Sequence, residues 1–316
     1  MRILITEVIW EEGIQALERA GISVDYDQEL GRNRAELLSV ISNYDGLIVR
    51  NETKVDSEIL EKGEKLKVVG RLGVGLDNID LHTARKKDIK VVAAKNANAT
   101  SVAEYVLAAM MHAYRKISDA TIDIRKGNWS RKQFTGLELS GKTLGLLGLG
   151  EIAHRVANRA KIFGMNITGY DPFITPYDHI LTETGVKRVD SLEELIMDAD
   201  FISIHVPLTD ETKNIFNRET FTRMKSNSYI INTARGGIIN ELDLCDAVRT
   251  NEIAGAYLDV LETEPIQANS PLFDIDTIQL TPHVAGLTHE SQTRTSLLVA
   301  QEIVNVLKGK TSLCSV

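Results

Sequence analysis

Five residues in the C-terminal third of the sequence combine an acid–base group, an anion clamp and three carboxylates. Arg235 precedes Gly-Gly, and His283 follows Pro282. Asp259, Glu262 and Glu264 lie between them in the segment LDVLETEP. A histidine exchanges protons near neutral pH, a nearby carboxylate orients its ring and favours its protonated form, and a guanidinium binds a carboxylate through two parallel hydrogen bonds. This set suits oxidation of a hydroxyl group beside a carboxylate, with His283 as the base and Arg235 as the clamp.

Each of these residues also has a structural interpretation. A histidine after a proline is commonly structural, and an arginine before two glycines is typical of a turn. Glu262 and Glu264 are compatible with solvated charges on the surface. The joint placement after successive apolar runs favours the catalytic interpretation, because ligands of open α/β sheets bind at the carboxyl ends of strands.

A glycine-rich segment upstream, GLGEIA, has the spacing of a dinucleotide-binding loop. Gly148 and Gly150 follow an apolar run, and Ala153 begins a helical stretch. In this motif the first glycine permits a tight turn, the second lets a pyrophosphate approach the backbone, and the small third residue allows close packing of helix on strand. The free N–H groups at the start of the helix then face the phosphates.

An acid about 20 residues after the loop indicates which dinucleotide binds. Asp171 ends the next apolar run, where a carboxylate binds ribose hydroxyls and repels a 2′-phosphate, so the sequence predicts NAD rather than NADP. The alternative is a turn residue in Asp-Pro. Glu151 and Ile152 are also predicted to contact the cofactor, and Arg155, one helical turn later, is expected to offset the charge of Glu151.

These residues are positioned by short apolar runs that alternate with helical stretches. Such alternation predicts parallel sheets built from right-handed crossover units, and runs that are apolar throughout indicate strands covered on both faces. The predicted strands are residues 2–6, 23–27, 46–50, 66–71, 90–94, 142–150, 166–171, 201–206, 228–234, 254–260 and 278–283.

The 316 residues are enough for two domains. Residues 101–127 predict one long helix with Thr100 or Ser101 as N-cap, and residues 289–309 predict a second that ends at Gly309. We interpret these helices as the crossings between a substrate-binding domain, residues 1–97 plus 288–316, and an NAD-binding domain, residues 98–287.

Composition narrows the classes of partner. The net charge of -8 argues against nucleic-acid binding, and no apolar run reaches the length of a membrane span. Without a secretory signal in the first residues, we expect a cytoplasmic protein.

Cys245 and Cys314 are too few for a disulfide framework or a zinc site, and no metal is expected. The remaining histidines are interpreted as structural, although the backbone of His205 is expected near the cofactor: His82, His112, His154, His179, His205 and His289.

Five segments resemble the D-isomer-specific 2-hydroxyacid dehydrogenase family along essentially the whole chain. They are GRLGVGLDNID (70–80), GLLGLGEIA (145–153), NTARGGIIN (232–240), GAYLDVLETEP (255–265) and TPHVAG (281–286). The resemblance implies an α/β protein with two doubly wound parallel sheets, a Rossmann NAD-binding domain and a flavodoxin-like substrate domain. It also implies a homodimer formed through the NAD-binding domain.

The family's catalytic residues correspond to Arg235, Glu264 and His283, and its supporting acid to Asp259, which is expected beside Arg235 or the nicotinamide. The resemblance implies a nicotinamide site formed by Val206, Pro207, Thr233, Ala234, Arg235, Asp259, His283, Ala285 and Gly286. It implies that the backbone of Gly73, Val74 and Gly75 holds the substrate carboxylate together with Arg235.

Within the family, IVRNETKV (48–55), residues 128–150 and GYDP (169–172) resemble the branch that oxidises 3-phosphoglycerate. The phosphate contacts of that branch correspond to Arg50, Arg71 and Arg131, the last reaching over from the partner subunit. Any of the three is alternatively a solvated surface residue.

Several features depart from that branch. Glu151 stands where the family usually has a basic residue, and VAGLTHES replaces the usual segment after His283. RLGVGLDNID and THES resemble sulfolactate dehydrogenases equally well. The sequence ends at Val316, so we expect no C-terminal regulatory domains. The alternatives are therefore sulfolactate, hydroxypyruvate or glyoxylate as substrate, and more distantly an NAD(H)-sensing partner protein similar to the dehydrogenase-like corepressors.

Overall fold

The computed structural model describes residues 1–316, and the chain folds into two compact units. Unit 1 comprises Met1–Asn98 and Leu287–Val316, and unit 2 comprises Ala99–Gly286. These bounds differ by one residue at each crossing from the division expected from the sequence. What each unit binds stays a prediction.

Unit 1 is built on a five-stranded parallel sheet in the order β2-β1-β3-β4-β5, the arrangement of a flavodoxin-like domain. All four residues of GLIV in β3 are buried, as expected where helices cover both faces of a sheet. Its first elements are β1 (Arg2–Ile5), α1 (Glu11–Arg19), β2 (Ser23–Tyr26), α2 (Arg34–Val40), β3 (Gly46–Val49), α3 (Ser57–Lys62), β4 (Val68–Arg71), α4 (Leu81–Lys86) and β5 (Lys90–Ala93).

Unit 2 contains a seven-stranded parallel sheet in the order β12-β11-β10-β9-β6-β7-β8, which is a Rossmann arrangement with one additional strand. The two sheets confirm the predicted fold class. The elements are α5 (Ala99–Tyr114), α6 (Ile117–Arg125), β6 (Thr143–Leu147), α7 (Glu151–Ile162), β7 (Asn166–Tyr170), α8 (His179–Thr184), β8 (Lys187–Arg188), α9 (Leu192–Asp198), β9 (Phe201–Ile204), α10 (Arg218–Thr222), β10 (Tyr229–Asn232), α11 (Glu241–Arg249), β11 (Gly255–Leu258) and β12 (Ile278–Leu280).

The last helix, α12 (His289–Leu307), belongs to unit 1 and packs on its sheet. It approaches β4 so closely that a Cβ at Gly70 would lie 2.5 Å from Cδ1 of Ile303 and 2.7 Å from Cγ1 of Val299. A larger residue at position 70 would therefore have to displace these two side chains. No helix in the structure combines the length and apolar character needed to cross a membrane, and the expected cytoplasmic location stays a prediction.

The long helix predicted for residues 101–127 is instead two helices, α5 and α6, and α5 begins at Ala99 rather than after Thr100 or Ser101. The interruption follows Tyr114, whose carbonyl accepts a hydrogen bond from Leu137 N (3.2 Å). α6 has no buried residue, so no packing holds it in line with the well-buried α5. Every other predicted run contains its strand or helix, and the two-residue edge strand β8 was missed.

Candidate active site

The residues predicted to bind a dinucleotide and to catalyse follow strands of unit 2. Because these strands are parallel, their carboxyl ends share one edge of the sheet, where ligands of such sheets bind. In the order of the strands from β12 to β7, the edge carries His283, Asp259, Thr233 to Arg235, Val206 with Pro207, Gly148 to Gly150, and Asp171. Sequence-distant residues are thus collected in adjacent loops.

His283 and Glu264 form a hydrogen-bonded pair, with 2.8 Å between Nδ1 of the histidine and Oε2 of the glutamate. The other carboxylate oxygen of Glu264 accepts a hydrogen bond from Leu261 N (3.0 Å). Burial alone would raise the pKa of Glu264, but the bonds from His283 and Leu261, with the charge of Arg235, outweigh it and lower the pKa below its usual value. The ionised carboxylate orients the ring so that Nε2 points away from Glu264 and is available to a substrate.

Asp259 is buried, and its carboxylate accepts hydrogen bonds from residues before and after His283. Its Oδ1 accepts hydrogen bonds from Thr281 Oγ1 (2.6 Å) and Val284 N (2.7 Å), and its Oδ2 accepts one from Ala285 N (2.8 Å). Between them His283 has φ 56°, a left-handed conformation that costs a non-glycine residue about 1–2 kcal/mol. We infer that the bonds to Asp259 maintain this conformation, a role that the sequence interpretation missed.

The turn after β10 brings Arg235 towards the loop that carries Glu264. The carbonyl of Arg235 accepts a hydrogen bond from Asn232 Nδ2 (2.8 Å), while Arg235 Nη1 donates to the carbonyl of Ala234 (2.6 Å). A Cβ at Gly236 would lie 1.8 Å from the carbonyl oxygen of Leu261, so the two loops approach as only glycine permits. This approach explains why the charge of Arg235 acts on the pKa of Glu264.

The glycine-rich loop has the geometry expected of a pyrophosphate site. Gly148 has φ 85°, and a Cβ there would lie 2.6 Å from the carbonyl oxygen of His205, so the turn requires glycine. Gly150 immediately precedes α7, and nothing lies within 4 Å of the position that its Cβ would occupy. Ala153 is fully buried against the sheet. The loop therefore leaves open space in front of the N-terminus of a helix, where an anion is favoured.

Asp171 supports the glycine-rich loop directly. Its Oδ2 accepts a hydrogen bond from Leu149 N and its Oδ1 one from Phe173 N, both at 2.9 Å. A carboxylate has about four lone-pair sites, so it can still accept bonds from ribose hydroxyls. Glu151, which the sequence placed close to the pyrophosphate, pairs with Arg155 as expected (2.6 Å).

One buried hydroxyl at this edge fits a bound cofactor. Thr233 Oγ1, in the predicted nicotinamide site, is buried without a hydrogen-bond partner. Buried polar groups are nearly always satisfied, so such a group points to a ligand atom that completes it. His205, by contrast, is only partly exposed, and desolvation lowers its pKa to about 3, so its side chain stays neutral.

Unit 1 contains a cavity of about 600 Å³ at the carboxyl ends of β1 and β3, where the order of its strands reverses. Arg50 follows β3 and lines the cavity, together with Glu7, Trp10, His289 and others. Burial lowers the pKa of Arg50, and the attraction of Glu7 offsets only part of this effect. A half-buried guanidinium in this position is suited to an anionic ligand. His289, interpreted as structural from the sequence, lines the same cavity.

The other predicted substrate contacts fall in two places. Arg71 ends β4 beside Val49 of β3, and its Nη1 lies 1.4 Å from where a Cβ of Gly73 would be, so its side chain folds over that glycine. Val74 is exposed in the same loop, and Gly75 is partly exposed. Arg131 lies in unit 2, exposed on the chain that follows α6. The structure therefore collects Arg50, Arg71 and Gly73 at one edge of unit 1, whereas Arg131 belongs to unit 2.

Comparison with known proteins agrees with this geometry. Residues 107–285 match the family described as D-isomer specific 2-hydroxyacid dehydrogenase, NAD binding domain. The chain is 45% identical over 310 residues to D-3-phosphoglycerate dehydrogenase of Methanocaldococcus jannaschii, covering 98% of this chain but 58% of that protein. It is 42% identical to (S)-sulfolactate dehydrogenase of Chromohalobacter salexigens, covering 96% of this chain and 98% of that protein. The crystal structure of the TT0316 protein from Thermus thermophilus superposes with a TM-score of 0.92 at 31% identity, covering both chains completely.

Proposed function

Because the chain belongs to the D-isomer-specific 2-hydroxyacid dehydrogenase family, we propose that it transfers a hydride reversibly between NAD and a small 2-hydroxy acid with an anionic tail. The observation that carries this proposal is the hydrogen-bonded pair of His283 and Glu264. Asp259 binds the backbone on the C-terminal side of His283, at the same edge of the sheet as the glycine-rich loop. The family model describes an NAD-binding domain, and NAD is also the cofactor that the glycine-rich loop and Asp171 predict.

The residues of unit 2 fit NAD, which when bound supplies the carbon that accepts or donates the hydride. We assign the pyrophosphate to the N–H groups of Gly150, Glu151 and Ile152, and the adenosine ribose to Asp171. Thr233 Oγ1 is assigned to the nicotinamide amide, together with backbone groups of Val206, Pro207, Ala234, Ala285 and Gly286.

His283 is assigned as the acid–base group. During oxidation its Nε2 takes the proton of the substrate hydroxyl, and during reduction it returns the proton to the carbonyl oxygen. Glu264 fixes the ring through Nδ1 and stabilises the positive charge that forms on it. Arg235, with the backbone N–H groups of Gly73 to Gly75, holds the substrate carboxylate, which the planar guanidinium binds through two bonds.

The tail of the acid is assigned to Arg50 and Arg71, with Arg131 contributed by a partner subunit. We propose 3-phosphoglycerate as the first candidate, oxidised to 3-phosphohydroxypyruvate, on the basis of the relative at 45% identity. Sulfolactate is the second candidate, because the relative with that activity is matched over 98% of its own length. Both carry an anion that suits a half-buried guanidinium.

A homodimer through unit 2 is supported by an apolar surface on α6 and the segment after it. Ile117, Ile122, Trp129 and Leu137 are all about half or more exposed to solvent. Exposed apolar side chains that lie close together along the chain are compatible with a protein–protein interface. Sedimentation equilibrium of the wild type and of Trp129→Ser tests the assignment: a dimer that the substitution weakens supports it, and a monomeric wild type contradicts it.

The activity is tested by steady-state kcat/KM for NADH oxidation with 3-phosphohydroxypyruvate, sulfopyruvate, hydroxypyruvate and glyoxylate. We expect one of the two acids with an anionic tail to be preferred. Arg50→Ala should lower kcat/KM for that acid by roughly 30-fold, equivalent to about 2 kcal/mol for a lost charged hydrogen bond, and change the tail-less acids much less.

Arg34→Ala is the matched control, because Arg34 also lies in unit 1 but pairs with Asp56 and Glu58 outside the cavity. Equal losses for all acids in Arg50→Ala would contradict the role of the tail. Tight NADH binding without turnover of any acid would favour the NAD(H)-sensing alternative.

A further inference from the structure

We propose that Glu7 is a positioning residue for Arg50, so that acids with an anionic tail depend on it far more than tail-less acids do. This inference rests on the proposed function, in which Arg50 binds the tail. Glu7 follows β1 and lines the cavity of unit 1. Nothing in the sequence singles it out.

The carboxylate of Glu7 accepts hydrogen bonds from four consecutive backbone N–H groups. Its Oε1 binds the N–H groups of Arg50 (2.8 Å) and Thr53 (2.9 Å). Its Oε2 binds those of Asn51 (2.9 Å) and Glu52 (3.0 Å). Converging N–H groups of this kind form an anion-binding concavity. Here the concavity is filled by a carboxylate of the same chain, which curls residues 50–53 around it.

The carboxylate of Glu7 is both buried and ionised. Glu7 is 7% exposed. Burial alone would raise its pKa, but the four backbone bonds outweigh this effect and hold the pKa below its usual value. The negative charge is thus directed into the N–H groups and also attracts the guanidinium of Arg50, which opposes the effect of burial on that arginine. One carboxylate therefore fixes the backbone of Arg50 and helps to keep its side chain charged.

The carbonyl groups of the same segment are held by Asn78. Its side-chain Nδ2 donates to the backbone carbonyls of Thr53 (2.8 Å) and Arg50 (3.3 Å). The backbone carbonyl of Asn78 accepts a hydrogen bond from Val55 N (2.8 Å). The buried hydroxyls of Thr6 and Thr53 also bond to each other at 2.9 Å. Asn78 lies outside Gly73 to Gly75, the residues assigned to the substrate carboxylate, and its bonds go to the segment that carries Arg50.

Replacement of Glu7 by glutamine tests whether the hydrogen bonds of its carboxylate, rather than the volume of its side chain, position Arg50. A glutamine is nearly the same size, but it has one carbonyl oxygen and an NH₂ group that would face two of the N–H donors. At least two of the four bonds are lost, and buried donors are left unsatisfied. The backbone that carries the Arg50 side chain is then free to move. A misplacement of about 1 Å in a positioning contact costs up to about 100-fold in catalytic efficiency.

The experiment measures kcat and KM of the full chain for 3-phosphohydroxypyruvate, sulfopyruvate and hydroxypyruvate, and the Kd of NADH, in wild type, Glu7→Gln and Asn78→Ala. Glu18→Gln is the matched control, because it removes an exposed carboxylate from α1 in the same unit. We expect both variants to raise KM for the preferred tail-bearing acid by about 10- to 100-fold. We expect kcat, the Kd of NADH and the kinetics with hydroxypyruvate to change by less than about 3-fold.

Equal losses with all three acids, or no loss with any, would overturn the positioning role. If Glu7→Gln does not fold, Asn78→Ala carries the same test, because it releases the carbonyl groups of the same segment. Amide exchange at residues 50–53 is measured in parallel and does not depend on turnover. A wild type inactive on every acid refutes the proposed function, whereas unchanged exchange at residues 50–53 in both variants refutes the inference itself.

Discussion

The change Asp259→Asn tests whether Asp259 maintains the conformation of the segment around His283. If the amide oxygen occupies the position of Oδ1, the bonds from Thr281 and Val284 remain, and the NH₂ group faces the N–H of Ala285. The variant then loses one charged hydrogen bond, about 1.5–3 kcal/mol, and the other two bonds lose their charge assistance. We expect the free energy of unfolding to fall by about 3 kcal/mol.

The same change should lower kcat more than stability alone explains. Without the third bond, His283 can leave its left-handed conformation, and the ring then moves away from Glu264. We expect kcat to fall by about 100-fold while the Kd of NADH changes by less than about 3-fold. Urea denaturation gives the first quantity, and turnover and NADH titration give the others.

Asp246→Asn is the matched control, since Asp246 is an exposed acid of the same unit whose pairing with Arg218 is worth less than about 1 kcal/mol. A variant Asp259→Asn that is destabilised but retains wild-type kcat would refute the reasoning that these bonds position the histidine.

Three further changes test other parts of the structure. Asp171→Ala should raise KM for NAD by about 10-fold and reduce the preference for NAD over NADP, measured as the ratio of kcat/KM values; an unchanged ratio would exclude the ribose role. Gly236→Ala should displace the backbone of Leu261, because its Cβ would lie 1.8 Å from that carbonyl oxygen; we expect turnover to fall at least about 10-fold, and wild-type turnover would contradict the close approach of the two loops. Glu7 has a folded-state pKa below its usual 4.5, so its stabilisation is present above that pH and is lost as pH falls through the lower folded-state value. Urea midpoints of wild type and Glu7→Gln should therefore converge as the pH falls below 4.5, and a constant difference would contradict this assignment.

The sheets and the glycine-rich loop could be predicted because their signals are local. Buried parallel strands are apolar along their whole length, as in GLIV of β3, and Gly148 has to adopt a positive φ that few other residues tolerate. The interruption after Tyr114 could not be predicted, because it depends on a hydrogen bond from Leu137, which lies far along the chain. The helical pattern of residues 101–127 carries no trace of that contact.

The candidate site divides in the same way. The prediction of His283 and Arg235 rests on their residue types and their places after strands, and the choice of Glu264 over Glu262 rests on the family resemblance. The role of Asp259 could not, because two of its three partners are backbone N–H groups, which every residue other than proline carries. The same reason hides Glu7, whose four partners are backbone N–H groups more than 40 residues away.

The central claim is that His283 exchanges the proton that accompanies hydride transfer. The most direct test is the single-turnover rate of NADH oxidation by wild type and His283→Ala with the preferred 2-oxo acid, together with the Kd of NADH. The account predicts an unchanged Kd and a rate lower by about 10²- to 10⁴-fold in the variant. Hydride transfer at the wild-type rate in His283→Ala would contradict it.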